Sequence, residues 1–277
     1  MTKTQAQIGL IGGSGFYDFF NKDESEEIEV KTEFGRPSDK ITVGEISGQK
    51  VAFLPRHGKN HQFPPHKIPY QANIAALKKL GVEKIIAPSA VGSLRSELKP
   101  GDFVICDQFV DRTKSRADTF FDGPEVAHIE TDHAYCPDLR KLAVLQAEKL
   151  KLLPAGRHGK THPKGTVVVI EGPRFSTLAE SLWFSKMGWD LVNMTQYPEV
   201  VLAAELGICY LNISLVTDYD VGVYSQTKVE PVSIEQVLSN FKKNTEKLKK
   251  LILAIINHLP EERSCDCQSR AERAVIG

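Results

Sequence analysis

The stretch Ile8-Gly9-Leu10-Ile11-Gly12-Gly13-Ser14-Gly15-Phe16, "IGLIGGSGF", decides how the rest of the chain is read. A short apolar run leads straight into glycines and a serine, the pattern of a buried strand that stops in a tight turn. Such a turn opens many dinucleotide-binding folds, but that fingerprint needs G-x-G-x-x-G and an acidic residue about 20 positions on. Here Phe16-Tyr17-Asp18 follow Gly15, and the last glycine of the fingerprint is missing. No G-x-x-x-x-G-K-[ST] phosphate loop occurs either. What remains is a plain tight turn, or one whose N–H groups and Ser14 hydroxyl face an anion.

Downstream of the turn, strand and helix signals alternate. From Ile28 to Leu54, "EIEVKTEF", "ITVGEI" and "KVAFLP" lie between glycine and Pro-Ser-Asp turns and read as a meander of short strands. Tyr70 to Leu80, "YQANIAALKKL", has helical spacing and stops at Gly81. Lys84 to Ala90, "DFVICDQFV", "GTVVVI" and "ICYLNISLV" read as strands, and "TLAESLWFSKMG" as a helix closed by Gly188. Pro198 to Leu206 reads as a helix with proline first and Gly207 just beyond its end. The last helix starts at a Ser233-x-x-Gln236 capping box and carries apolar residues from Ile234, Val237 and Leu238 through Leu251, Ile252 and Ile255. That order favours an α/β fold with a largely parallel sheet. No low-complexity linker divides the chain, so residues 1–277 are expected to form a single domain with a tail at 261–277.

With 35 basic against 35 acidic residues, the chain of 277 residues has no net field for nucleic acid or an anionic membrane. No apolar run approaches the roughly 20 residues of a membrane span, and no secretion signal precedes the first strand, so a cytoplasmic protein is expected. Five scattered cysteines do not form a secreted disulfide framework. Cys265-Asp266-Cys267 reads as surface thiols on a tail, with a disulfide or a metal site as alternatives. No CxxC or nearby histidine completes a set of four ligands, and no metal is expected.

"RHGKNH" at Arg56 to His61 returns as "RHGKTH" at Arg157 to His162. The flanks differ, which argues against a duplicated unit. The first copy follows a strand, where ligands of open α/β sheets gather, and offers an arginine fork and a histidine donor for phosphate. The second reads as a solvated loop. His57, His61 and His66 do not read as a metal set, because Pro64 and Pro65 break the helix such a site needs. "IIAPSAVGSL" places Ser89 after a strand, and "DLVNMTQYPE" places Asn193, Met194 and Thr195 before a helix, both suited to oxyanions. "LVTDYD" ends a buried strand with Asp218 and Asp220, which solvate a loop, bind a purine or form an acid/base pair.

Taken together and in order, "IGGSGF", "PRHG", "SAVGSL", "EGPRFST", "NMTQYPE" and "TDYD" resemble the trimeric purine nucleoside phosphorylases, and within that family its methylthioadenosine-cleaving branch. The likeness spans Ile8 to Leu259. It implies a mixed central sheet flanked by helices, and a homo-oligomer, either a trimer or a dimer of trimers. The implied reaction is phosphorolysis of S-methyl-5′-thioadenosine to adenine and 5-methylthioribose 1-phosphate. The partners are then a nucleoside and inorganic phosphate, the latter a co-substrate, with no cofactor.

Carried over by position, the resemblance assigns phosphate to Ser14, Arg56, His57, Ser89, Ala90 and Thr195. It assigns the ribose to Asn193 and Met194, and the base to Phe175, Ser176, Asp218 and Asp220, with Asp218 as the acid at purine N7. The 5′ substituent falls to Ile234, Val237 and Leu238, with His128 reaching in from a neighbouring subunit. Gln196-Tyr197 stands where smaller pairs are common in the family, which bears on the ribose floor. In thermostable relatives a Cys-x-Cys pair such as Cys265 and Cys267 is oxidised. Alternatives are a phosphorylase of 6-oxopurine nucleosides or methylthioinosine, for which an amide is expected at position 218, and a nucleotide-binding module without catalysis.

Overall fold

The computed structural model describes residues 6–13, 16, 19–20, 25–152, 160–223 and 234–276, and for 234–243 the backbone alone. The glycine turn is entered from β1 (Ile8–Gly12), a fully buried strand. The meander follows as β2 (Glu26–Ile28), β3 (Ile41–Ile46) and β4 (Gln49–Pro55). "EIEVKTEF" yields only the first of these, because Thr32 and Gly35 exchange backbone hydrogen bonds in a tight turn that uses Gly35 at φ +99°.

Helix α1 (Tyr70–Lys79) leads through Gly81 into β5 (Lys84–Ser93). "DFVICDQFV" is two strands, β6 (Phe103–Ile105) and β7 (Gln108–Arg112). The break falls at Asp107, whose carboxylate accepts from Gly165 N at 2.9 Å while the chain changes sheet neighbours. Next come β8 (Val126–Ala127), α2 (Pro137–Lys149), β9 (Thr161–His162), β10 (Thr166–Ile170) and α3 (Leu178–Lys186), the last with a complete Thr177/Glu180 capping box. Then follow β11 (Leu191–Asn193), α4 (Gln196–Glu205) and β12 (Cys209–Tyr219). The chain finishes with α5 (Ile234–Asn257), α6 (Cys267–Ala274) and β13 (Val275–Ile276). Tyr197 is extended inside α4, so its regular part starts at Pro198, as the sequence predicts.

Among the described residues the main sheet runs β2-β3-β4-β1-β5-β11-β10-β7, with β12 also on β5 and carrying β6 and then β9. It is mixed. β1 is parallel to β4 and β5, and β12 is parallel to β5, whereas β11 meets β5 antiparallel. Strands β5 and β12 are buried almost throughout, as continuous apolar runs covered on both faces should be. On one face α5 lays Leu248, Leu251, Ile252, Ile255 and Ile256 against Ile8, Ile86, Leu211 and Ile213. Each such fully buried aliphatic side chain contributes roughly 1.5–3 kcal/mol. On the other face α1 and α4 bring Ile74, Leu77, Val200 and Leu202 onto Ile85, Ala87 and Tyr210.

β5 changes partners partway along. It pairs with β1 as far as Ile86 and with β11 only from Gly92, so residues 87–91 have β12 on one side and a slot on the other. The carboxyl ends of β1 and β4 open into that slot.

Two expectations fail at the edges. The tail is not a solvated appendage: α6 buries Cys267, Arg270, Ala271 and Ala274, and β13 pairs with β8. The end of the second hexapeptide is not a surface loop either. Thr161 is buried in β9, and His162 Nε2 lies 2.9 Å from the buried Asp102 carboxylate. Arg157 lies outside the described residues.

Candidate active site

Arg56 fills the slot. Its Nη1 donates to Pro88 O at 3.0 Å and its Nη2 to Ile11 O at 3.3 Å, bridging β5 and β1 where they no longer pair. Nε and Nη2 donate to the two oxygens of Glu199 at 2.8 and 2.9 Å. Both side chains are almost wholly buried, 5% and 0% exposed. Tyr210 donates to the same carboxylate at 2.7 Å. Burial opposes the guanidinium charge, but the Glu199 carboxylate outweighs it and holds Arg56 above its ordinary range. The planar fork expected to face phosphate is therefore engaged by Glu199. Among the described residues one N–H of Nη1 is left for an anion.

His57 departs from the donor role read from the sequence. Its Nδ1 lies 2.8 Å from Phe63 O, and a carbonyl only accepts, so Nδ1 carries the proton. Burial, opposed by that bond and helped by Arg56 and the stacked His61 ring, pushes the imidazole down to about 4. At neutral pH the ring is uncharged and Nε2 is an acceptor, suited to the P–OH of hydrogen phosphate.

Ser89 lies on β5 along the slot, its hydroxyl accepting from Asn212 Nδ2 at 3.1 Å and Gln196 Nε2 at 3.4 Å. Asn193 closes the other side. Its Nδ2 donates to Ala90 O at 2.9 Å, and its Oδ1 accepts from Thr195 N and Gln196 N at 2.7 and 2.8 Å. The carboxamide thus closes the turn that leads into α4 and ties it to β5, a positioning duty before any ribose contact. Gln196 turns into the core, accepting from Tyr135 and donating to Ser214, so it supports the site from beneath. Met194 packs on Gly172, where a Cβ would come within 2.7 Å of its sulfur.

The register of β12 on β5 slips between Val216 and Asp218, a bulge that sets Asp218 beside Gly92. A side chain there has no room: a Cβ on Gly92 would lie 2.9 Å from Val192 and 3.2 Å from Asp218 Oδ2. Thr217 donates to Asp218 Oδ1 at 2.7 Å. Burial nevertheless pushes this carboxyl up to about 7, with Asp220 adding to the rise and the Thr217 bond opposing it. Asp220, anchored by its N–H on Ser93 O, is also raised, chiefly by burial, though the Ser181 and Ser176 hydroxyls lie close enough to moderate it. Asp220 Oδ2 and Ser176 Oγ are buried without a hydrogen bond of good geometry. Phe175, beside them, is 44% exposed.

The fold therefore gathers Arg56 and His57 just after β4, Ser89 and Ala90 inside β5, and Asn193, Met194 and Thr195 at the end of β11, with Asp218 and Asp220 at the end of β12. His128 is exposed, and its N–H donates to Ala274 O in the tail at 2.9 Å. Ser14 and the side chains of Ile234, Val237 and Leu238 lie outside the described residues. Sequence reasoning gave no role to Glu199, although it stands in "NMTQYPE"; a carboxylate one residue after a helix-starting proline, in an otherwise apolar helix, was the available signal.

The chain belongs to the phosphorylase superfamily, whose sequence profile matches residues 7–257. It is 52% identical to S-methyl-5′-thioadenosine phosphorylase of Pyrococcus furiosus, over 94% of this chain and 96% of that one. It is 46% identical to a purine nucleoside phosphorylase of Streptomyces coelicolor, over 96% and 94% respectively. Among solved structures, methylthioadenosine phosphorylase from Schistosoma mansoni in complex with adenine superposes with a TM-score of 0.86 at 36% identity, covering 97% of this chain and 96% of that one.

Proposed function

We propose that this chain, acting as one nucleoside phosphorylase domain, cleaves S-methyl-5′-thioadenosine with inorganic phosphate to adenine and 5-methylthioribose 1-phosphate. The observation that carries this is a carboxyl held near neutrality, Asp218, on the strand paired with the one that carries Ser89 and Ala90. Phosphate sits by the slot, beneath Arg56, with Thr195, Ser89 and Ser14 contributing hydroxyls. His57 Nε2 accepts the P–OH hydrogen and turns the charged oxygens toward C1′. As a phosphate oxygen bonds to C1′, the C1′–N9 electrons pass into the purine, and the Asp218 proton goes to N7, so adenine leaves neutral. Asp220 Oδ2, buried and without a hydrogen bond of good geometry among the described residues, accepts from the 6-amino group. Catalysis is positioning plus preorganised charge, with no cofactor.

A proton on Asp218 also offers a donor to a 6-oxo group, which keeps 6-oxopurine nucleosides as a second reading. Liquid chromatography of phosphate-dependent base release decides between them. Adenine from methylthioadenosine well ahead of hypoxanthine from inosine is the expected result, and the reverse order overturns the substrate assignment.

The same reading makes the protein a cytoplasmic homotrimer or dimer of trimers. Phe175, Leu178, Leu182, Trp183 and Met187 leave an apolar strip exposed along α3 beside the base wall, of the kind that subunits cover. His128 is then donated to a neighbour's 5′ pocket. Among the described residues no helix is long and apolar enough to cross a membrane. Sedimentation equilibrium giving a monomer with full activity excludes the shared pocket.

A further inference from the structure

Four cysteines that the sequence scatters meet at one point. Cys136 precedes α2, Cys209 opens β12, and Cys265 and Cys267 flank Asp266 at the head of α6. Their four sulfurs all lie within 4.8 Å of one another, and those of Cys209 and Cys265 are 3.3 Å apart. Cys136, Cys209 and Cys267 are buried, and Cys265 forms the half-buried rim. Backbone bonds fix the positions: Cys136 N donates to Tyr210 O and Cys209 N to Glu83 O, both at 2.9 Å.

We infer that Cys136, Cys209, Cys265 and Cys267 form a closed tetrathiolate site for zinc(II). A tetrahedral zinc with Zn–S bonds of about 2.3 Å sets its sulfurs roughly 3.8 Å apart, so this cluster needs only small side-chain rotations to close on an ion. Tetrahedral all-sulfur sites select zinc among the common divalent ions. A disulfide joins sulfurs in pairs at about 2.05 Å, as the resemblance to thermostable relatives implies for Cys265 and Cys267, whereas a single ion uses all four sulfurs at once. The thiols hydrogen-bond among themselves. Zinc binding sends the four thiol protons to solvent and moves no electrons. With four protein ligands and no open position, the site is structural. It fastens α6, which runs into β13 on β8 and receives the His128 N–H, so the ion holds the tail against the loop that presents His128.

The test is elemental analysis of the full-length chain, purified without a metal column, together with titration by an organomercurial thiol reagent in the presence of a chromogenic zinc indicator. The expected result is about one zinc per chain, released in step with thiol modification. Exchange with cobalt(II) should give the visible and sulfur-to-metal charge-transfer bands of a tetrahedral tetrathiolate. Cys265→Ser/Cys267→Ser should lower zinc content at least about tenfold and reduce the melting temperature. If that variant does not fold, the cobalt spectrum of the unmodified chain decides. Undiminished zinc in the double variant overturns the site. So does a metal-free chain whose four thiols alkylate and which takes up neither zinc nor cobalt. An intact mass short by two hydrogens per cysteine pair, without zinc, replaces the ion with disulfides.

Discussion

Around Arg56 nearly every polar group already has its partner among the described residues, whereas around Asp218 and Asp220 two buried polar atoms do not. The guanidinium is held by Glu199, Pro88 and Ile11, and Glu199 by Tyr210. At the other end, among the described residues, Asp220 Oδ2 and Ser176 Oγ are buried with no hydrogen bond of good geometry, and Asp218 carries a carboxyl raised to about 7. One end is a finished framework, where the proposed function seats an anion. The other leaves polar groups uncompensated, a cost that the proposed purine removes when it binds. Stability should therefore reside at the anion end and chemical selectivity at the base end.

The strongest way to break this contrast is Arg56→Ala. It strands a fully buried Glu199, so urea unfolding should report a loss of about 3–5 kcal/mol, beyond any loss of phosphate affinity. Arg56→Met/Glu199→Leu should recover most of that stability and none of the activity. A single-variant loss under about 1 kcal/mol means the pair is not the framework described.

Asp218→Asn should do the opposite, sparing the fold while kcat/KM for methylthioadenosine falls roughly 10²–10⁴-fold, the range of a positioned general acid. With Asp218 as the proposed acid, kcat/KM of the unmodified enzyme should decline as pH rises through about 7, and the variant should lack that limb. The folded carboxyl is raised from 3.8 to about 7, so between those values the native state binds the extra proton. Stability therefore falls with rising pH across that window, and Asp218→Asn should flatten the curve. An unchanged alkaline limb in the variant moves the acid role to Asp220.

Smaller effects sharpen the boundary between the two ends. Asn193→Ala removes the turn bonds before α4 and the tie to Ala90, and calorimetry should show a loss of about 0.5–2 kcal/mol with a raised phosphate KM. Ser176→Ala removes a hydroxyl that has no good hydrogen bond, so stability should change by less than about 0.5 kcal/mol. Its effect should appear only in adenine affinity, measured by isothermal titration. A Ser176→Ala protein destabilised as much as Asn193→Ala would mean that the base end is also framework.

The alternation of strands and helices was legible because buried parallel strands read as largely apolar runs, and glycines with positive φ, Gly81, Gly188 and Gly207, mark where helices stop. Residues at strand ends, such as Arg56 and Asp218, stood out for the same reason, whereas Ser89, expected after a strand, lies inside β5. What each does was less legible. Glu199 lies 143 residues from Arg56, and no local pattern announces an ion pair of that span. Asn193 resembles a ligand contact in sequence, but its carboxamide is occupied by backbone two and three residues on and by Ala90. His57 looked like a donor until the Phe63 carbonyl fixed its tautomer. Cys265 and Cys267 looked solitary because Cys136 and Cys209 arrive from α2 and β12.

Strand β5 acts as a ruler. On the proposed function Ser89 stands by the phosphate and Gly92, under Asp218, by the base, three residues or roughly 10 Å apart along an extended chain. The length of nucleoside that fits is thus set by covalent geometry inside a strand that β12 holds along its whole length, which cannot stretch as a loop can. Purines lengthened along the axis from ribose to base should be refused outright, while groups attached sideways at the 5′ position escape the measurement.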